Sequence, residues 1–191
     1  MFILASRSPQ RKEILERLGI SFEVIPSNMD EASVLERDPV KRAMLLAERK
    51  AGDIAKQHPG KWVIGVDTLV VASDGTLLEK PVDSEDARRM LRLHSGNIST
   101  VHTALCLQRG FEQHAEVSSA RVFFKALDAR VIDWWIETDL WRDRSGAFQI
   151  EGEGEKLIEQ LEGERETVVG FPVTLFLHML QQMSEFLFLR F

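Results

Sequence analysis

Apolar residues recur along the chain at two spacings, one typical of buried strands and one typical of helices. Continuous or alternating apolar runs predict strands at residues 3–5, 22–26, 62–66, 98–108 and 115–125. Apolar positions three or four residues apart predict helices that begin near Pro9, Pro39, Asp83, Val131 and Pro172. Because strands alternate with helices, the pattern predicts an α/β fold with a mixed sheet.

Two of these helices begin with clear local signals. Ser8 and Asp38 are suited to accept hydrogen bonds from the first turn, and each is followed by a proline that fits the first helical position. Gly19 is placed to end the first helix. The stretch from Asp139 to Gly154 is polar and contains glycines, so it is predicted to be a loop.

Composition narrows the class of protein. With 191 residues, of which 44% are hydrophobic, the chain is long enough to bury a core as one domain or as two tightly joined lobes. The formal net charge of −6 argues against a long nucleic acid as the main partner, because phosphate binding normally needs a basic face. A small anionic ligand stays compatible, since it needs only a few cations placed locally.

The cysteine content and the lengths of the apolar runs argue against disulfide-linked, cysteine-zinc and membrane-spanning proteins. Cys106 is the single cysteine, so no disulfide and no cysteine-based zinc site is expected. No apolar run approaches the roughly 20 residues of a membrane span, and no signal-peptide core is evident, so a cytoplasmic location and no membrane partner are expected. The apolar segment 186–191 makes a homodimer plausible.

The first candidate site is the segment Ser6–Lys12, where a strand leads into a helix. Free N–H groups at a helix start, together with hydroxyls and nearby cations, can bind phosphate. The alternative is an ordinary capped helix with solvated basic residues.

The second candidate is Asp67, within the segment Gly65–Thr68 that follows a buried apolar run. A carboxylate near the end of a buried strand must be hydrogen-bonded, ion-paired or bound to metal, and strand ends are where α/β sheets bind ligands. A structural aspartate that caps a turn is the alternative.

Two further sets of residues carry weaker signals. Asp30, Glu31, Lys50 and the segment Glu79–Pro81 offer carboxylates that suit magnesium and lysines that neutralise phosphate, although such residues usually just face water. The segment Arg142–Gly152 mixes glycines, an aromatic ring and hydrogen-bonding side chains, so it could read a nucleobase or be a solvated connection.

The histidines and the paired tryptophans are not expected to carry chemistry. The five histidines show no metal-ligand spacing, and Trp134 and Trp135 fit helix packing better than base stacking.

Taken in order, the motifs of this chain resemble those of the Maf family of nucleotide pyrophosphatases over nearly its whole length. The matching segments are Leu4–Arg11, Asp30–Glu31, Glu48–Ala51, Gly65–Thr68, Glu79–Pro81, Ser95–Gly96 with Thr103, Ser145–Gly152 and Val169–Pro172.

This resemblance implies a single domain, residues 1–191, with two lobes around a central cleft, as in the inosine-triphosphatase superfamily. It implies hydrolysis of a nucleoside triphosphate to the monophosphate and pyrophosphate, as a house-cleaning activity that uses a divalent cation such as Mg, Mn or Co. It implies that Asp67 is the catalytic proton acceptor and that Glu31 shares the metal with it. The positions implied to bind phosphate are Ser8, Arg11, Lys50 and Lys80.

The positions that the resemblance links to base preference are mixed. Thr68 matches the pyrimidine-type members, Glu151 matches the 7-methyl-GTP type, and Gln10 matches neither. Because a carboxylate accepts from the N–H groups of a guanine edge, Glu151 favours a modified or purine-like base over dTTP or UTP.

Two other functions remain open at this point. One is a nucleotide-binding regulator, linked to cell division, that has lost strong catalysis. The other is a phosphatase that releases orthophosphate. The presence of Asp67, Lys50 and Lys80 together favours an enzyme over a protein that only binds nucleotides, since such a protein would not need the carboxylate.

Overall fold

The computed structural model describes residues 1–183, and within them strands and helices alternate as expected. The strands are β1 (Phe2–Leu4), β2 (Phe22–Val24), β3 (Val63–Val71), β4 (Leu77–Leu78), β5 (Ile98–Arg109), β6 (Glu112–Phe124) and β7 (Ile158–Glu162). The helices are α1 (Pro9–Arg17), α2 (Pro39–Ala55), α3 (Ser84–His94), α4 (Ala129–Glu137), α5 (Arg165–Val169) and α6 (Val173–Gln182). Short 3-10 segments cover Glu31–Ser33, Ser145–Ala147 and Gly152–Leu157.

The described strands form one mixed sheet. Its order is β2-β1-β3-β5-β6-β7, and β4 pairs with β3 off this path. Strand β1 lies parallel to β2 and to β3, whereas β4 pairs antiparallel with β3 and β7 antiparallel with β6. The predicted α/β class with a mixed sheet is therefore confirmed.

The chain divides into two compact units. Among the described residues, unit 1 contains 1–67, 103–118 and 170–183, and unit 2 contains 68–102 and 119–169. The expectation of a single domain with two lobes around a cleft stays a prediction.

In unit 1, α2 packs against β3 at Gly65, and this contact depends on the missing side chain. A Cβ atom at Gly65 would lie 2.1 Å from the carbonyl oxygen of Ala47 and 2.8 Å from the backbone nitrogen of Ala51. The two alanines are fully buried, so the helix backbone approaches the strand directly. This close approach brings the middle of α2, including Lys50, beside the residues that follow Gly65.

Unit 2 has its own apolar core. Large side chains from its strands and from α3 and α4 pack together with residues of the segment 139–157, among them Phe124, Trp135, Trp141, Phe148 and Leu157. Val70 and Leu78, from the paired strands β3 and β4, contribute to the same core.

The local helix signals are confirmed. The Ser8 hydroxyl accepts from the backbone N–H of Arg11 at 3.5 Å, and the Asp38 carboxylate accepts from that of Lys41 at 3.0 Å. The packing role of Trp135 is confirmed as well, and the thiol of Cys106 is buried.

One prediction about local structure is wrong. Strand β3 continues to Val71 because its last residues are apolar and pair with β4, so Asp67 lies in the middle of a strand and not near its end. The segment 139–154 is a loop with short 3-10 turns, as predicted, but the alternative of a solvated connection does not hold throughout, because Phe148 and Ile150 are buried within it. The sequence pattern also does not reveal β7 and α5, which are short and lack strong periodicity.

Among residues 1–183, no helix is long and apolar enough to cross a membrane. The apolar segment 186–191, on which the homodimer prediction rests, lies outside the described residues.

Candidate active site

The centre of the candidate site in unit 1 is a lysine held between two carboxylates. The Nζ atom of Lys50 lies 2.6 Å from Oδ1 of Asp67 and 2.9 Å from Oε1 of Glu31. The side chains of Lys50 and Asp67 are only 12% and 7% exposed, whereas that of Glu31 is 59% exposed. The cluster is thus buried at Asp67 and open to solvent at Glu31.

Burial and ion pairing act on Asp67 in opposite directions. Burial raises the pKa of its carboxyl above the ordinary value of 3.8, and Glu31 raises it further, whereas Lys50 and then Arg11 lower it. Its Oδ2 atom is buried and has no hydrogen-bond partner among the described residues. Since an unsatisfied buried oxygen is costly, this atom is the strongest sign that Asp67 is arranged for a ligand and not only for folding.

Arg11 is a buried cation that is fixed by the backbone around it. Its Nε atom donates to the carbonyl of Gly170 at 2.9 Å, and its Nη1 atom donates to the carbonyl of Val66 at 3.1 Å and to the Ser6 hydroxyl at 2.9 Å. Burial lowers the pKa of the Arg11 guanidinium, and Asp67 and Glu31 oppose that shift. The guanidinium remains charged, so it adds a fixed positive charge near Asp67.

Ser8 and Gln10 meet at the start of α1. The Ser8 hydroxyl donates to Oε1 of Gln10 at 3.1 Å while it caps the helix. The cap gives Ser8 a structural use without a ligand, in line with the alternative of an ordinary capped helix. The predicted phosphate role of Ser8 and the predicted base role of Gln10 stay predictions.

Glu31 is positioned by the 3-10 segment that it begins. Asp30 caps this segment by accepting from the N–H of Ala32 at 3.0 Å, so Asp30 has a structural use. Glu31 and Asp67, which share Lys50, are hard oxygen donors of the kind that Mg²⁺ or Mn²⁺ prefers. Within residues 1–183, no three or more His, Cys, Asp or Glu side chains are grouped so that they could hold a metal ion. Glu31 and Asp67 alone would give an ion two protein ligands. They fit an ion that takes its remaining ligands from water and substrate phosphate, as is usual for Mg²⁺.

The other predicted site residues lie in unit 2, around the turn Ser145–Ala147. The Ser145 hydroxyl donates to the carbonyl of Thr68 at 3.4 Å, and the Gly146 N–H donates to the carbonyl of Glu79 at 3.0 Å. The turn is thereby tied to Thr68 and to the residue before Lys80. Lys80 and Glu151 are both exposed.

One part of the base-reading hypothesis is wrong. Phe148 is 5% exposed and packs edge-on against the rings of His94 and Phe124, at centroid distances of 5.2 and 5.0 Å. Its ring is therefore core, and it cannot stack on a nucleobase in this conformation.

Two arrangements, one in each unit, are not predicted by the sequence pattern. In unit 1, the hydroxyl of Ser6 and the carbonyl of Val66 fix Arg11, and Val66 is 55 residues from Arg11 in the chain. His94 in unit 2 is fully buried, and its Nε2 atom lies 2.8 Å from the carbonyl oxygen of Gly146. The helical pattern of α3 places His94 on its apolar face, which is the one local signal for it.

Comparisons with known proteins show the family of this chain. A family model described as Maf-like protein matches residues 1–183. A protein of Pyrococcus furiosus named dTTP/UTP pyrophosphatase is 39% identical over 94% of this chain and 93% of its own length. A protein of Treponema denticola with the same name is 40% identical over 90% of this chain and 91% of its own. The Staphylococcus aureus Ham1 protein superposes on 64% of this chain and 71% of its own, with 12% identity and a TM-score of 0.42, which is too loose to add to the fold described above.

Proposed function

Since the chain belongs to the Maf family, we propose that it hydrolyses dTTP and UTP to their monophosphates and pyrophosphate. The protein is an enzyme of the nucleotide pyrophosphatase type, a hydrolase that acts on the phosphoanhydride bond. Its proposed role is to clear unwanted nucleotides from the cytoplasmic pool.

The observation that carries the proposal is the buried cluster of Lys50, Asp67 and Glu31, with the unpartnered Oδ2 atom of Asp67. A buried carboxylate with one oxygen held by a cation and the other without a partner can bind a water molecule and take its proton. Buried side-chain oxygens without a partner are rare in clusters that serve folding alone.

In the proposed reaction, Asp67 aligns a water molecule and accepts its proton as the water oxygen bonds to the α-phosphorus. The bond between that phosphorus and the α–β bridging oxygen breaks, and the bridging oxygen leaves with pyrophosphate. Lys50 and Arg11 are fixed positive charges that offset the charge of the phosphates, and fixed charges need no reorganisation during the reaction. Lys80 is proposed as an additional phosphate ligand, and Ser8 as a hydrogen-bond donor to phosphate.

The proposed cofactor is a divalent cation, Mg, Mn or Co, held by Glu31 and Asp67 together with the substrate. Such an ion supplies charge neutralisation at the phosphates and lowers the pKa of a bound water.

For the base, the names of the relatives outweigh the purine-like preference inferred from Glu151 alone. Both relatives described above act on dTTP and UTP by name, at 39% and 40% identity. A carboxylate at position 151 is also compatible with thymine and uracil, because it can accept their N3–H. Cytosine has no N–H at N3 and would present a lone pair to the same carboxylate.

A panel of nucleoside triphosphates tests the proposal, with pyrophosphate and orthophosphate measured separately in the presence and absence of a chelator. We expect dTTP and UTP to give the highest kcat/KM, ahead of CTP, GTP and 7-methyl-GTP. Pyrophosphate should be the first product, and EDTA should stop its release.

Each of the other outcomes contradicts a different part of the proposal. Release of orthophosphate alone would identify a phosphatase, and a preference for 7-methyl-GTP would reverse the base assignment. Activity that survives the chelator would contradict the proposed requirement for a divalent cation. Binding of nucleotides without turnover would identify a nucleotide-binding regulator.

A further inference from the structure

Two buried aromatic side chains hold the backbone of the turn Ser145–Ala147 in unit 2 by hydrogen bonds. The indole Nε1 of Trp135 donates to the carbonyl of Ala147 at 2.8 Å, and the His94 ring lies 2.8 Å from the carbonyl of Gly146. Because a carbonyl only accepts, Nε2 of His94 carries the proton, and Nδ1 accepts from the Ser99 hydroxyl at 2.7 Å. Two buried ring N–H groups thus hold two consecutive carbonyls.

The backbone of this segment is held in a strained conformation. Asp143 and Ala147 have φ angles of 58° and 59°, in the left-handed region that residues with a side chain rarely adopt. Such conformations persist where the surroundings determine them, and they concentrate at ligand-binding sites. The strained residues lie on either side of Arg144.

Arg144 is a half-buried cation on this fixed segment. Its side chain forms no hydrogen bond or ion pair with any of residues 1–183. Burial lowers the pKa of its guanidinium, and the negative charges of Glu151 and then of Asp143 oppose that shift. A guanidinium with five N–H donors is thus partly removed from water without a protein acceptor, so its donors are available to a ligand.

We propose that Arg144 binds a ring carbonyl of the pyrimidine base, beside Glu151, and so contributes to base selection. This inference rests on the proposed function and names a residue that reads its substrate. Thymine and uracil present acceptor, donor and acceptor along one edge, so an arginine that donates and a carboxylate that accepts complement that edge. A phosphate is the less suitable ligand here, because Glu151 and Asp143 both add negative charge around the guanidinium.

Binding of uncleavable ligands tests the inference without depending on turnover. The probes are the α,β-methylene analogues of dTTP and UTP, and tripolyphosphate, which has no base. Dissociation constants are measured by calorimetry for the full chain and for Arg144→Met, Arg144→Gln and the control Arg142→Met. Arg142 lies two residues away, is exposed, and pairs with Asp139 at 2.8 Å.

We expect Arg144→Met to weaken both nucleotide analogues about 10-fold or more, the range for a hydrogen bond to a charged group. Tripolyphosphate should bind unchanged. Arg144→Gln, which retains a donor, should recover part of the affinity, and Arg142→Met should bind all probes as the unaltered protein does.

Three results would overturn the inference. Equal weakening of tripolyphosphate would make Arg144 a phosphate ligand. Unchanged affinity for the analogues, with melting temperatures alike, would give it no ligand role, and a protein that binds no nucleotide would fail the inference and the proposed function together. Analogue binding that depends on Arg144 in a protein that hydrolyses no triphosphate would refute only the proposed function.

Discussion

Lys50 and Glu31 have opposite effects on Asp67, and this difference can be measured. Lys50 lowers the pKa of Asp67 and Glu31 raises it. If Asp67 is the base, kcat/KM rises with pH as its carboxyl loses the proton, and the midpoint of that rise follows the pKa in the free enzyme.

We therefore expect Lys50→Met to move the acid side of the pH profile of kcat/KM to higher pH. Glu31→Gln should move it to lower pH. Both variants are expected to lose activity, so the midpoint and not the height is the measurement. Midpoints that coincide in all three proteins would mean that another group controls the acid side.

The buried charge of Asp67 is expected to serve catalysis and to lower the stability of the fold. We expect Asp67→Asn to reduce kcat by about 10²–10⁴-fold, the range for loss of a general base. Because burial holds the folded-state pKa above the unfolded value, the carboxyl stabilises the fold below its unfolded pKa and loses that contribution as pH rises.

The melting temperature of Asp67→Asn should accordingly equal or exceed that of the unaltered protein at pH 7, and the two should converge in acid. Thermal unfolding followed by circular dichroism across pH gives the comparison. A large loss of stability at pH 7 would show that the pair with Lys50 is mainly structural.

At the scale of secondary-structure elements, the contact between α2 and β3 determines where Lys50 lies. Gly65 is the position at which the two backbones meet, and a Cβ there would lie within 2.1 Å of a carbonyl oxygen. Backbone atoms cannot move aside as a flexible side chain can, so the helix would have to shift and take Lys50 with it.

Gly65→Ala is expected to lower the free energy of unfolding by at least about 1–3 kcal/mol, as overpacking does, and to reduce kcat as well. Gly52→Ala is the matched control in the same helix, because its Cβ would meet only the side-chain amide of Gln108, at 3.3 Å, and no backbone atom. That control should be neutral or stabilising by up to about 1 kcal/mol. Chemical denaturation gives the free energy of unfolding of both variants. Equal losses in Gly65→Ala and Gly52→Ala would contradict the packing argument.

Elements and residues differ in how far the sequence predicts them. The starts of α1 and α2 follow from Ser8 and Asp38, whose hydrogen bonds reach only three residues ahead. Local pattern does not predict the pair of Lys50 and Asp67, since the pair depends on the close approach at Gly65. The burial of Phe148 escapes prediction for a related reason, because the core that covers it comes from α3, α4 and β6.

For the whole molecule, His94 links the turn Ser145–Ala147, which directly follows Arg144, to global stability. Burial lowers the pKa of His94 to about 4, from an ordinary value of 6.5. The imidazole is therefore neutral in the folded protein at pH 7. Its contribution to stability is complete above pH 6.5 and is lost as pH falls from 6.5 towards 4.

The shift of about 2.5 pH units corresponds to a loss of about 3 kcal/mol across that window. His94→Gln should be less stable at pH 7, where it gives up a buried hydrogen-bond network, and its stability should change less between pH 6.5 and 4. The exposed His114→Gln serves as the control and should keep the acid slope. Denaturant unfolding at several pH values measures the free energy of unfolding. If its dependence on pH between 6.5 and 4 is unchanged in His94→Gln, the acid loss of stability does not come from His94.

The unpartnered oxygen of Asp67 also has a consequence for directed evolution. A substitution that removes the buried charge is expected to leave the fold at least as resistant to heat and to remove most of the activity. A library screened for thermal tolerance alone would therefore enrich inactive sequences at this position. Selection for robustness in this protein needs a simultaneous selection for turnover.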